Sequence, residues 1–319
     1  MQLKSEAVQT HHAVLVLGRD IRAFLTVVRS LGRAGLQVHV GMCPADDLAL
    51  KSKYIFMYHD IPEYSPDSSE WLERLTELSK KYHYKLIVPT HDESAIPMQL
   101  FHDQLSDHAG IYSLDSESFD IAFDKIKSSN IAAELGIKLP MQTIVTMETL
   151  RQGLPEGFKM PVVIKPSSSY LSSDLGVRRE VKMIKGHEFL LDTVEKHQDW
   201  GEVLVQEVFK GVGTGVEVLA NKGEILAVFQ HTRVHEPLNG GASSYRKSSP
   251  INSELRDATE KLMRRLNYTG VAMVEFKINP ESNDWIFIEI NGRFWGSLPL
   301  AFCSGLDFLY FLIALLVNE

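Results

Sequence analysis

The segment 288–293 brings a carboxylate, an amide and a guanidinium together within six residues. Alternate residues of a strand point to the same face, so Glu289 and Asn291 would present their side-chain oxygens side by side. Glu275 lies fourteen positions before Glu289, and a hairpin that turns over 279–284 would place the two across from each other. Two carboxylates this close repel unless a cation lies between them, and Mg²⁺ prefers such oxygen ligands. The spacing indicates a Mg²⁺ site; the alternative is three solvated side chains on an exposed sheet face.

Two lysines could bring positive charge to phosphate groups. Lys165 ends an apolar run and precedes a proline and a serine-rich loop, where Ser168 and Ser169 could donate hydrogen bonds to phosphate. Lys125 lies in a segment with helical spacing. A lone lysine is most often a surface group, so each of these lysines is equally compatible with ordinary surface charge.

The residues Gln206, Glu207 and Val208 end another apolar run that continues into a glycine-rich segment. The edge of such a strand can offer backbone N–H and C=O groups to a planar base. An ordinary hairpin turn explains the same pattern equally well.

Arg233 stands between two histidines that invite a metal interpretation. His231 and His235 would share a strand face but lie about 13 Å apart at about 3.3 Å per residue, which is too far for one ion. The planar guanidinium of Arg233 suits a carboxylate or a phosphate. The alternative is an ion pair of Arg233 with Glu236 or another surface acid.

The sequence predicts two kinds of architecture to position these candidate site residues, a parallel α/β part followed by an antiparallel α+β part. Apolar runs at 13–18 and 37–42 flank a helical pattern at 21–33, and this βαβ order requires a parallel sheet with a right-handed crossover. Gly18 follows the first run without the second and third glycines of the dinucleotide fingerprint. A helix is predicted over 116–136, and after it short alternating runs indicate α+β architecture with antiparallel sheets.

Composition restricts the class of protein and of partner. The chain has 319 residues with 44% hydrophobic and 23% charged residues, which is typical of a globular protein with two domains or three. A net charge of −8 argues against a nucleic-acid partner. Cys43 and Cys303 lie too far apart in sequence to indicate a zinc knuckle or a disulfide framework, which favours a reducing compartment.

The apolar segments do not predict a membrane protein. The run 13–17 is shorter than the apolar core of a secretory signal, and Phe308–Val317 is shorter than a membrane span. A cytoplasmic protein without a membrane partner is therefore expected. The run Phe308–Val317 indicates a buried helix, and a buried helix normally has other segments packed over it. Either the chain is truncated after Glu319 or this helix packs at an edge of the domain.

Taken in order, these motifs resemble the ATP-grasp superfamily, in particular its carbamoyl-phosphate-synthetase-like carboxylate–amine ligases. The resemblance implies α/β plus α+β architecture: a small doubly wound preATP-grasp domain at 1–115 and a two-lobed ATP-grasp domain at 116–319. The small lobe, with its linker helix, would cover about 116–205 and the large lobe about 206–319. ATP is the implied substrate, with Mg²⁺ as cofactor and Mn²⁺ as a substitute.

The resemblance also implies roles for individual residues. Lys125 resembles the lysine near the first phosphates, and Lys165 the strand lysine that reaches the adenine and the α-phosphate. Ser168 and Ser169 belong to the phosphate loop. The hinge that reads adenine corresponds to Gln206, Glu207 and Val208.

The remaining roles concern the metal and the reacting groups. Glu275, Glu289 and Asn291 resemble the family's Mg²⁺ ligands, and Arg293 would touch the transferred phosphate. Arg233 would orient the acceptor, and the glycine-containing segment 240–244 resembles the loop beside the substrate.

The implied reaction is ATP-dependent formation of an acylphosphate, which an amine or a thiol then attacks with release of ADP and phosphate. The phosphate loop at 167–176 departs from the family pattern because its one glycine stands at its far end, which leaves its closure as a lid open. Two alternatives stay open: a kinase or carboxylase of the same superfamily, and a nucleotide-binding module without turnover. The sequence also leaves open the identity of the carboxylate and amine and the oligomeric state, a homo-oligomer included.

Overall fold

The computed structural model describes residues 13–19, 22–235 and 245–317. Its first sheet is fully parallel with strand order β3-β2-β1-β4, which confirms the predicted βαβ start. β3 was not predicted, because it is a short edge strand whose side chains are half-buried or, at Phe56, exposed. The elements of this part are β1 (Ala13–Leu17), α1 (Ala23–Arg33), β2 (Gln37–Gly41), β3 (Ile55–Tyr58), α2 (Glu70–Tyr82), β4 (Leu86–Pro89), α3 (Asp92–Leu100) and α4 (His102–Ser106).

The single helix predicted over 116–136 is wrong, because the chain forms two helices there. These are α5 (Ser116–Ala122) and α6 (Lys125–Glu134). Asp124 has extended backbone angles, and its carboxylate accepts hydrogen bonds from the backbone N–H groups of Ile126 and Lys127. This N-cap satisfies the first turn of α6 and starts the new helix at Lys125.

The second sheet is antiparallel with strand order β5-β8-β6-β7. β5 was not predicted from the sequence, because its side chains are half-buried or exposed and its residues form no continuous apolar run. The elements here are β5 (Gln142–Thr146), α7 (Met147–Leu150), β6 (Val162–Pro166), β7 (Lys182–Ile184), α8 (Glu188–Lys196) and β8 (Glu202–Glu207).

The third sheet is also antiparallel and has five strands in the order β11-β10-β9-β12-β13. One of its faces packs on α9, and the other carries the candidate site. The elements are β9 (Val212–Asn221), β10 (Glu224–His235), β11 (Tyr245–Ser248), α9 (Ser253–Arg265), β12 (Gly270–Ile278), β13 (Trp285–Asn291), α10 (Leu298–Cys303) and α11 (Phe308–Val317).

A shared hydrophobic core fixes the first sheet against the third. Phe24 and Leu31 of α1 are fully buried in one cluster with Leu219 of β9 and Val271 of β12. Burial of this apolar surface stabilises the relative position of the two sheets. The predicted boundary between 115 and 116 stays a proposal.

The apolar segment at 308–317 forms a helix, as predicted, and packs against this core. Phe308, Leu309 and Leu312 of α11 are buried with α1, whereas Tyr310 and Phe311 are exposed. Among the described helices, none combines the length and hydrophobicity that a membrane span requires.

Candidate active site

A cleft of about 1370 Å³ is lined by strand residues of the second and third sheets and by residues that follow β1 and β4 of the first sheet. Within the described residues, all of the individual side chains that the sequence predicted for the site line this one cleft. They are Lys125, Lys165, Ser168, Ser169, Gln206, Glu207, Val208, Arg233, Glu275, Glu289, Asn291 and Arg293. The chain thus brings together residues that lie up to 168 positions apart in sequence, from 125 to 293.

The three predicted metal ligands lie on one face of the β12–β13 hairpin. Glu275 is the cross-strand partner of Glu289, and Met273 is the partner of Asn291. The turn is closed by a hydrogen bond from the Asn279 N–H to the Asp284 carbonyl. The amide nitrogen of Asn291 donates to Oε1 of Glu289 at 3.3 Å. The predicted hairpin and its register are confirmed, while the metal role of these residues remains a prediction.

Positive side chains balance both carboxylates. Burial raises the pKa of Glu275, while the guanidinium of Arg233, with Nη2 at 2.6 Å from Oε1, opposes this rise. Burial alone would also raise the pKa of Glu289, but Lys125 and Lys165 outweigh it, so this pKa lies below its ordinary value. The hairpin does not carry solvated acids on an exposed face. Glu275 is buried and Glu289 is half-buried, so both carboxylates need nearby cations.

These residues fit a Mg²⁺ ion that also binds phosphate. Two carboxylates and an amide oxygen supply hard ligands, and Mg²⁺ commonly completes its octahedron with phosphate oxygens and water. Within the part of the chain that the structure describes, no group of three or more His, Cys, Asp or Glu side chains could hold a metal by itself. Glu275, Glu289 and Asn291 would leave the remaining coordination positions to the phosphate oxygens of a nucleotide and to water.

The two lysines approach the carboxylates from different elements. Lys125 begins α6, and its Nζ donates to the hydroxyl of Ser169 at 2.9 Å. Lys165 lies on β6 and is only 6% exposed. Burial lowers the pKa of Lys165 to about 8, although the negative charge of Glu289 acts in the opposite direction. Both lysines are thus built into the cleft and are not surface groups.

The serine loop after β6 makes contacts across the cleft. The hydroxyl of Ser168 donates to the carbonyl of Tyr170 at 2.9 Å, and the Tyr170 hydroxyl donates to Glu93 of α3 at 3.0 Å. Burial and then the nearby Glu93 carboxylate raise the pKa of Tyr170. The loop is therefore tied to the first sheet's side of the molecule through Tyr170.

The predicted hinge ends β8 and enters the cleft. The amide of Gln206 donates to Oε1 of Gln142 at 2.7 Å, and Oε1 of Glu207 accepts from the backbone N–H of Lys159 at 3.0 Å. The backbone N–H of Glu207 already donates to the carbonyl of Met141 at 2.9 Å. Because this N–H is already occupied, recognition of a base would depend on the backbone groups of Val208, the next residue.

Arg293 follows β13 and reaches the first sheet's side of the cleft. Its guanidinium contacts both carboxylate oxygens of Asp92, Nε to Oδ1 at 2.9 Å and Nη2 to Oδ2 at 3.1 Å. Burial alone would raise the pKa of Asp92, but Arg293 outweighs it and lowers the pKa. This bidentate contact orients Arg293 over the cleft.

Sequence reasoning missed several cleft residues that come from outside the predicted motifs. Asp92 and Glu93 follow β4, and the carboxyl end of a parallel strand is where ligand-binding residues gather in α/β sheets. That rule could have found these two residues. Arg22 and Arg246 also line the cleft, and neither lies in a pattern that distinguishes it from a surface arginine.

A buried polar cluster supports the site from within the third sheet. Nδ1 of His231 lies 2.7 Å from Oε1 of Glu217, which also accepts from Ser297 at 2.7 Å. The imidazole lies over Gly215, because a Cβ at 215 would come within 2.4 Å of its Cε1. The position of His231 is thus explained by its contact with the Glu217 carboxylate. This agrees with the spacing argument against a metal site shared by His231 and His235. The predicted substrate loop at 240–244, like Glu236, lies outside the described residues.

Comparison with known proteins agrees with this arrangement. A family model described as "ATP-grasp in the biosynthetic pathway with Ter operon" matches residues 199–319. The chain is 23% identical over 253 residues to D-aspartate ligase of Enterococcus faecium, covering 75% of this chain and 59% of that protein. Both matches support the predicted resemblance to the ATP-grasp superfamily. The similarity of the chain to D-aspartate ligase supports the carboxylate–amine ligase branch.

Solved structures agree on the ATP-grasp fold. The biotin carboxylase–βγ-ATP complex of Campylobacter jejuni has a TM-score of 0.76 at 15% identity, over 97% of this chain and 71% of that chain. The L-amino acid ligase of Bacillus licheniformis has a TM-score of 0.72 at 14% identity, over 96% and 74%. The predicted architecture, a parallel sheet followed by antiparallel sheets of the ATP-grasp type, is confirmed. The chain spans less than two thirds of the length of D-aspartate ligase, the curated relative described above.

Proposed function

We propose that this protein is an ATP-dependent ligase that activates a small carboxylic acid as an acylphosphate and joins it to an amine. The observation that carries the proposal is the proximity of the Glu275, Glu289 and Asn291 face to the ammonium groups of two lysines. Phosphoryl transfer from ATP requires oxygen ligands for Mg²⁺ together with cations for the phosphates.

The cleft residues divide this work. Lys125 and Lys165 would neutralise phosphate charge, and the burial of Lys165 strengthens such an interaction because the local dielectric is low. Val208 would offer backbone groups to the adenine. Mg²⁺, when bound by the two carboxylates and Asn291, would neutralise charge on the transferred phosphoryl group.

The chemical steps balance without any further reactant. A carboxylate oxygen of the acid attacks the γ-phosphorus, the bond from phosphorus to the bridging oxygen breaks, and ADP leaves. The amine lone pair then attacks the acyl carbon, the carbon–oxygen bond to phosphate breaks, and phosphate leaves with the electron pair while the amine loses a proton. Arg233 would orient the reacting carboxylate, and Arg293, held by Asp92, would face the transferred phosphate.

The names of similar proteins support the same class of reaction. D-aspartate ligase and L-amino acid ligase are both named as ligases.

The test is ADP release by the whole chain with Mg²⁺ and ATP, over a grid of small acids and amines. A ligase requires both an acid and an amine for full ADP release, and an acid labelled with ¹⁸O in its carboxylate transfers one ¹⁸O to the released phosphate. Full release with an acid and no amine would indicate a kinase, and stimulation by bicarbonate a carboxylase. Nucleotide binding without release under any condition would indicate a binding module, and each of these three results would overturn the proposal.

A further inference from the structure

One edge of the cleft carries guanidinium groups that the proposed nucleotide site does not use. Arg246 lies on β11, the outer strand, directly across from Arg233 on β10. Cross-strand partners project to the same face of a sheet. At about 4.8 Å per strand, the backbone of β11 lies ~14 Å from that of β12, which carries Glu275. Arg246 therefore stands farther from the proposed metal ligands than Arg233 does.

A further guanidinium reaches this edge from the first sheet's side of the molecule. Arg22 precedes α1, and its Cζ lies 3.4 Å from the position that a Cβ would take at residue 296. Glycine at 296 leaves this space to the arginine. Arg22, Arg233, Arg246 and Trp295 line the same cleft, so arginines from separate parts of the chain converge there.

The placement of Arg246 directly opposite Arg233 costs free energy, which a bound anion would offset. Like charges directly opposite each other on neighbouring strands destabilise a sheet. Burial, and then the positive charges of Arg233 and Arg22, lower the pKa of Arg246. Across 13–19, 22–235 and 245–317, the Arg246 guanidinium has no hydrogen bond or ion pair. Glu275, which contacts Arg233, is one of the carboxylates proposed to hold the metal.

We propose that the acid activated by this enzyme carries a second anionic group, a carboxylate or a phosphate, which Arg22 and Arg246 bind while Arg233 orients the reacting carboxylate. This inference rests on the proposed function and adds a substrate class to it. A planar guanidinium binds either anionic group through two parallel hydrogen bonds, which also fixes the orientation of the ligand.

Binding of matched acids to the whole chain tests the inference without turnover. The probes are succinate, 3-phosphonopropionate and butyrate at constant ionic strength, followed by calorimetry and by tryptophan fluorescence, since Trp295 lines the cleft. We expect the two dianions to bind at least about tenfold more tightly than butyrate, a difference of ~1.4 kcal/mol. A preference for 3-phosphonopropionate over succinate would identify the second group as a phosphate, and the reverse preference as a carboxylate.

Variants connect the preference to the arginines. Arg246→Gln and, independently, Arg22→Gln should reduce the preference for dianions to within about twofold, the level expected once a bidentate contact is lost. Lys247→Gln is the matched control, because Lys247 neighbours Arg246 on β11 and is exposed. Thermal unfolding of each variant verifies that it is folded.

The outcomes separate this inference from the proposed function. Binding of both dianions no tighter than that of butyrate, or an unchanged preference in both arginine variants, would overturn the inference. Selective binding of dianions by a protein that never releases ADP would support the anion site and overturn the proposed function. Release of ADP stimulated best by acids with one anionic group would leave the ligase standing and overturn the inference.

Discussion

Lys165 gives the proposed nucleotide site a measurable pH dependence. Burial lowers the pKa of its ammonium group from 10.5 to about 8. A triphosphate beside this group would favour the charged form and return the pKa to its ordinary value or above. Binding of ATP should therefore be accompanied by the uptake of a proton at Lys165.

The size of this uptake follows from the shift. With a pKa of about 8 in the free protein and about 10.5 in the complex, the uptake is ~0.1 proton at pH 7, ~0.5 at pH 8 and ~0.9 at pH 9. The sign is positive because the bound state holds the proton more tightly than the free state. The same linkage weakens ATP binding about tenfold between pH 7 and pH 9.

Calorimetric titration with ATP in buffers of different ionisation enthalpy measures the proton uptake directly. Lys165→Arg keeps the positive charge but does not titrate in this range, so the uptake at pH 9 should disappear. Lys127→Arg is the control, because Lys127 is an exposed lysine on α6 that pairs with Asp120. Equal uptake in the wild type and in Lys165→Arg, or no uptake by the wild type at pH 9, would refute the reasoning.

Other predictions concern the support of the site. Gly215→Ala places a Cβ within 2.4 Å of the His231 ring, and the overpacking should lower the free energy of unfolding by ~1–3 kcal/mol, measured by denaturant titration; an unchanged midpoint would contradict this. Arg233→Lys should keep ATP affinity but reduce acid-stimulated ADP release about 100-fold, or ~2.7 kcal/mol. If ATP binding and ADP release both stay unchanged, Arg233 has only a structural role as the ion-pair partner of Glu275. The pKa of Asp92 lies below its ordinary value, so ionised Asp92 stabilises the fold at pH values above the ordinary pKa, and this contribution is lost as the pH falls through the lowered pKa. In Asp92→Asn the melting temperature should therefore fall less steeply at acid pH than in the wild type. An equally steep fall in both proteins would contradict this.

The sequence predicted those parts of the site that depend on local geometry. The alternation around Glu289, the short turn and the preceding strand were sufficient to place Glu275 opposite it, because the register of a hairpin is set by its turn. The βαβ start was equally accessible, since buried parallel strands appear as continuous apolar runs.

Contacts between distant parts of the chain were not predictable in this way. Arg293 and Asp92 are 201 positions apart, and their pairing depends on how the third sheet docks on the first. The position of Arg22 over Gly296 has the same origin. The break between α5 and α6 is a different case, because Asp124 is a good N-cap residue and the overall helical spacing concealed it.

The Mg²⁺ dependence of nucleotide binding tests the assignment of the site most directly. Calorimetry compares the affinity for ATP with Mg²⁺ and with EDTA in the wild type, in Glu289→Gln and in Glu281→Gln, whose exposed residue lies in the turn of the same hairpin. A metal site at Glu289 predicts that Mg²⁺ strengthens binding in the wild type and in Glu281→Gln but has no effect in Glu289→Gln. The same strengthening by Mg²⁺ in folded Glu289→Gln would contradict the assignment.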